Sequence, residues 1–120
     1  MRYSAEITIP FLPKMTNAQS RNWRAINAER KKVKSAVKEQ LGKNIPNAPV
    51  KHAKLTCIRH SSICPDYDGI VSGFKSVIDG IVEARVLEDD SMDNIGMPSF
   101  KWERARKGSG SVTVFIEEIA

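Results

Sequence analysis

Asp66-Tyr67-Asp68-Gly69-Ile70-Val71-Ser72-Gly73-Phe74-Lys75-Ser76-Val77-Ile78-Asp79-Gly80-Ile81 carries the clearest structural signal in the chain. At about 100° per residue, Ile70, Phe74, Val77, Ile78 and Ile81 fall within about 100° of arc, an apolar stripe suited to burial. The spacing predicts a helix from Asp68 to Arg85, with Asp66 or Asp68 near its N-cap. Helix cannot run across Pro65 into the segment before it. A stripe this regular needs a surface to cover, so the flanking segments decide the fold class.

Upstream, residues 52–60 read as a strand through Leu55, Thr56, Cys57 and Ile58. Pro46 and Pro49 make 43–51 a surface turn. Before it, Trp23, Ile26, Val33, Val37 and Leu41 recur at helical spacing and Gly42 follows as a C-cap, with Trp23 read as a helix anchor. At the start, Tyr3, Ala5, Ile7 and Ile9 alternate with Ser4, Glu6 and Thr8, a strand over 3–10. Pro10 and Pro13 end it and open an extended loop through Asn17 and Ser20. Downstream, Lys101–Arg106 and Ser111–Ile119 are expected to close the fold as a hairpin, turning at Lys107-Gly108-Ser109-Gly110. The order β-α-β-α-β-β predicts an α+β fold, a small mixed β-sheet with helices packed on it. At 120 residues the chain is expected to form a single domain over 1–120.

Hydrophobic residues make up 41% of the chain and charged residues 28%, which excludes wholesale disorder. No apolar run approaches the roughly 20 residues of a membrane-spanning helix, so no membrane partner is expected. Met1-Arg2-Tyr3-Ser4 has no apolar core or cleavage site, so secretion is not indicated. Cys57 and Cys64 are too few for a disulfide scaffold and fit a reducing, cytoplasmic setting.

The net charge of +5 conceals a division. Residues 1–59 hold 13 Lys/Arg and 3 Asp/Glu, a charge of +10; residues 60–120 hold 6 and 11, a charge of −5. Within 21–41, seven basic residues face only Glu29 and Glu39. Arg21, Arg24, Arg30, Lys31, Lys32 and Lys34 are therefore candidate contacts to nucleic-acid phosphates.

The acidic half concentrates its carboxylates. Asp66 and Asp68, two apart in an extended segment, are expected to aim at one spot, and Glu88-Asp89-Asp90 follows the helix where negative charge opposes its dipole. Crowded carboxylates repel, and a divalent cation relieves them; oxygen donors suit Mg²⁺ or Mn²⁺ better than Zn²⁺. Lys75 and Asp79 lie within about 20° of Asp68 around the helix, so Lys75 can meet a phosphate held at such a cluster. Helix capping alone also accounts for Asp66 and Asp68. A zinc set from His52, Cys57, His60 and Cys64 is disfavoured, because strand alternation puts Cys57 opposite His52 and His60. Gly69, Gly73, Gly80 and Ala84 form a small-residue face that permits close approach of another element, including one at a dimer interface.

The stretch from Asp66 to Ile81, followed by Val86-Leu87-Glu88-Asp89-Asp90-Ser91, resembles the core motif of the RusA family of Holliday-junction resolvases, small phage- and prophage-type endonucleases. Ile7-Thr8-Ile9-Pro10 through Pro13, Asn17, Trp23 and Arg24 is similar to that family's proline-containing opening. The resemblance implies a homodimeric, Mg²⁺-dependent endodeoxyribonuclease, with Mn²⁺ as a substitute. It would resolve four-way DNA junctions by paired symmetric nicks, in the cytoplasm of a bacterial host or phage-infected cell. It implies that Asp66, Asp68 and Asp90 are catalytic metal ligands, with Asp89 a further candidate, and that Lys75 is the catalytic lysine. One position departs: where the family has Asn, this chain has Gly69, which removes a side-chain amide beside the site. A non-catalytic basic nucleic-acid-binding module of similar fold is the alternative.

Overall fold

The computed structural model describes residues 2–13 and 23–119. Arg21, Asn17 and Ser20 lie outside the described residues. The elements are β1 (Ser4–Ile9), α1 (Trp23–Leu41), β2 (Ala53–Ser61), α2 (Tyr67–Gly73), α3 (Lys75–Glu83), α4 (Met92–Ile95), β3 (Ser99–Arg104) and β4 (Ser111–Glu118). They form a small α+β domain around one four-stranded mixed sheet, ordered β1-β4-β2-β3. None of the described helices is long and apolar enough to cross a membrane.

Strand alternation builds one buried sheet face. Ile7 and Ile9 of β1, Leu55 and Cys57 of β2, and Val112, Val114 and Ile116 of β4 all point into the core. Val33, Val37 and Leu41 of α1 and Phe74, Val77 and Ile81 of the second helical segment cover them. Contacts of α1 with β1 and α3 complete this layer. Gly42, at φ +56°, ends α1 as expected, its N–H donating to Lys38 O at 3.0 Å. Trp23 is 71% exposed and does not anchor the helix as predicted; Val33, Val37 and Leu41 do that instead.

The predicted hairpin does not form. β4 pairs antiparallel with both β1 and β2, while β3 lies on the far side of β2, parallel to it. Residues 105–110 must therefore pass over β2, a span of about 10 Å between strands two places apart, which a tight turn cannot bridge. The small-residue face also has an internal use at Gly80. A Cβ there would meet Val37 Cγ2 at 3.2 Å and Lys34 Cα at 3.4 Å, so glycine lets α3 pack against α1 within one chain. The Lys34–Glu83 ion pair, at 2.6 Å, ties the same two helices.

The helix expected over 68–85 is interrupted at Phe74. Its N–H reaches Val71 O at 3.2 Å, a tightened turn, and Ile78 N–H resumes the α pattern on Phe74 O at 3.0 Å. The joint seats Phe74, 1% exposed, against Phe100 of β3, with ring centroids 5.9 Å apart. The four-residue helix α4 had no counterpart in the sequence reading.

Candidate active site

Lys75 opens α3, immediately after the Phe74 joint. One turn along, Asp79 accepts a hydrogen bond from Lys75 Nζ at 3.0 Å, and Asp90 Oδ2 accepts another at 3.0 Å. Asp90 is 15 residues away, and its position depends on how α3 ends. Arg85 takes φ +69°, Arg85 N–H donates to Val82 O at 3.0 Å and Val86 N–H to Ile81 O at 3.2 Å. This is a Schellman cap with arginine where glycine is usual. Buried Val86 and Leu87 then dock, and Leu87 bridges to Val50 in parallel. Val50 N–H donates to Val86 O at 2.8 Å and Glu88 N–H to Val50 O at 3.0 Å. The pinned segment delivers Asp90 back to Lys75, and Asp89 Oδ1 accepts from Asp90 N–H at 2.9 Å.

The two aspartates of the Asp-x-Asp motif take different backbone roles. Asp66 is the N-cap of α2, extended at φ −78° and ψ 173°, and its Oδ1 accepts from Gly69 N–H at 2.7 Å. Asp68 already lies in the first helical turn. Because helix begins at Tyr67, the two do not share one extended segment: Asp66 is the extended cap and Asp68 the second helical residue. Asp68 lines an open groove of 460 Å³ together with Lys75 and Asp90. Its apolar wall includes Tyr67, Val71, Ile78, Ile95, Met97, Pro98 and Phe100. That wall was not foreseen, since Met97 to Phe100 reach it from a different part of the chain.

Among the described residues, no three His, Cys, Asp or Glu side chains stand together as a metal-binding group. The groove instead offers two carboxylates. Such a pair of hard oxygen donors, without imidazole or thiolate, fits Mg²⁺, which is commonly held by one or two carboxylates and keeps several waters. The disfavoured zinc set is dispersed as expected. Cys57 is buried, with its thiol pushed up to about 12 by burial. His60 Nδ1 meets Glu103 Oε1 at 3.3 Å, and His52 Nδ1 lies 3.1 Å from Asp93 O.

The hydrogen bond from Lys75 holds the Asp90 carboxyl below the usual carboxylate range. The bonds to Asp90 and then Asp79 raise Lys75 above its ordinary value. Asp90, being lowered, stabilises the fold above about pH 4 and loses that contribution as pH falls through its depressed pKa. Lys75, being raised, contributes below about pH 10.4 and loses it as pH rises through the raised value. Wild type should therefore melt above Asp90→Asn by a constant margin from about pH 5 to 9, closing towards pH 3. With Lys75 64% exposed, the margin is at most about 1 kcal/mol. Melting curves across pH measure it, and a margin unchanged at pH 3 rules the ion pair out as its source.

Arg24, Arg30, Lys31 and Lys32 are exposed on α1, whereas Lys34 is engaged with Glu83. Lys32 Nζ lies 4.2 Å from the centre of the Phe11 ring. Compared with protein-family models and with curated proteins, the chain matches none.

Proposed function

We propose that this protein is a Mg²⁺-dependent, structure-selective endonuclease that acts as a homodimer on four-way DNA junctions, nicking them in symmetric pairs. The observation that carries this reading is the groove shared by Asp68, Lys75 and Asp90, with Lys75 held by two carboxylates. Structural needs alone do not call for three charged groups beside an apolar wall. Asp68 and Asp90 would hold Mg²⁺, with Asp66 and Asp89 adjoining. When bound, the ion would supply Lewis-acid stabilisation of the phosphodiester and a more acidic attacking water.

The chain's own residues do the rest. Asp90 and Asp79 fix the Lys75 ammonium and keep it protonated, so that it can neutralise charge growing on a phosphate in the groove. Arg24, Arg30 and Lys31 would bind backbone phosphates without reading sequence, with Arg21, Lys32 and Lys34 as the remaining basic candidates. A two-fold dimer matches the approximate two-fold symmetry of a four-way junction.

One observation favours a second reading, a non-catalytic basic module. Asp66 Oδ1 caps α2 by accepting from Gly69 N–H, as capping alone would require. Nicking of a synthetic four-way junction with Mg²⁺, wild type against Asp68→Asn, separates the two. The nuclease reading expects cleavage by wild type and its loss in the variant; equal cleavage by both would remove Asp68 from the site. Salt-sensitive junction binding with no cleavage by wild type would establish the module.

A further inference from the structure

We infer that Arg59 is an anion-binding residue which, with Arg104, takes a phosphate group of a nucleic-acid strand at the carboxyl-terminal ends of β2 and β3. The choice of a nucleic-acid ligand rests on the action on DNA proposed above. The site itself rests on the packing.

Arg59 occupies a core-facing position in β2, on the face of Leu55 and Cys57, and is only 9% exposed. Among the described residues no carboxylate pairs with it, and its Nε has no hydrogen-bond partner. Burying that Nε–H unpaired removes a charged donor from water without return, a cost that folding alone gives no reason to bear. An aliphatic residue would serve the core better at this position. Across the parallel register Arg59 faces Trp102 of β3, and Val112 of β4 stands on its other side. The Arg104 guanidinium lies 5.0 Å from the Trp102 ring centre, and its Nη1 donates to Ser62 O at 2.9 Å. Trp102 itself is fixed by donating to Ser61 Oγ at 3.0 Å.

Arg59, the cross-strand neighbour of Trp102, and Arg104, whose guanidinium lies on the Trp102 ring, thus share one sheet face where β2 and β3 end. A guanidinium with an unused N–H fits phosphate, which accepts in the plane of the fork. The adjoining segment 62–65 leads directly to the Asp66 cap, and Phe100, two residues before Trp102 on β3, lines the groove. A strand with one phosphate at Arg59 can therefore continue towards Lys75.

The test compares melting of the full chain in sodium phosphate and in sodium chloride at equal ionic strength, for wild type and Arg59→Met. Wild type should gain about 6 °C at phosphate ten times its dissociation constant. Arg59→Met should melt higher than wild type in chloride, show no phosphate gain, and bind a junction with a salt slope smaller by about 1. The wild-type Arg59 Nε–H resonance should also shift on phosphate addition, a readout that needs no variant to fold. An unmoved resonance, or an equal phosphate gain in both proteins, overturns the site. A phosphate gain with an unaltered junction salt slope overturns the nucleic-acid assignment in favour of free phosphate. Cleavage by wild type without any phosphate response defeats this inference alone, whereas phosphate binding without cleavage supports it and defeats the nuclease reading.

Discussion

Lys75→Met should lower Mg²⁺-dependent nicking of a four-way junction by about 10²- to 10³-fold, the usual cost of deleting one donor to a developing oxyanion. Methionine keeps the length of the side chain and removes its charge. The fold should tolerate the change, because Lys75 is the first residue of α3 and points away from the core. Its two ion pairs are exposed, so the stability lost is about 1 kcal/mol or less for each. Junction affinity should stay within a few-fold of wild type, since the phosphate-binding residues proposed on α1 are untouched. Single-turnover cleavage and a binding titration read the two quantities separately. If affinity falls as far as cleavage, Lys75 is a binding residue and its proposed role in the reaction is wrong.

Phe74→Ala should cost about 3–5 kcal/mol, the range for truncating a fully buried aromatic residue. Few small domains have more than about 5–15 kcal/mol to lose. The melting temperature should fall by roughly 10–20 °C in a chain of this size. Phe74 seats the joint between α2 and α3 and packs at a tilt against Phe100, so its truncation opens a space in the core. The same deletion loosens the start of α3 and with it the Lys75–Asp90 pair. Urea unfolding measures the effect, and a loss below about 1 kcal/mol would mean the site collapses without a cavity.

Much of this architecture is written locally. Helix α1 runs from Trp23 to Leu41 as its spacing and Gly42 indicate, and the alternation of β1 and β2 sorts their buried residues correctly. What sequence periodicity does not encode is which strands pair. β3 and β4 each look like hairpin arms, yet both prefer a flank of β2, a choice made by the whole core. The break at Phe74 was equally hidden, because the apolar stripe continues across it in phase. At the site, the proximity of Lys75 to Asp79 follows from helical geometry. That of Lys75 to Asp90 needs the Arg85 cap and the Val50–Leu87 bridge, which no short-range pattern announces. Arg59 did carry a signal: a charged residue continues the apolar register of Leu55 and Cys57.

The placement of β4 has a temporal consequence. β1 pairs only with β4 among the described strands, and Tyr3 N–H donates to Glu118 Oε1 across a separation of 115 residues. On a ribosome, β1 must wait unpaired until β4 emerges. Helix α1 can form early, but the sheet it covers cannot close until β4 has been made. Contacts this distant in sequence slow the search for the fold. Loss of residues 111–118 would strip the interior strand from between β1 and β2 and leave two exposed edges where the core should be.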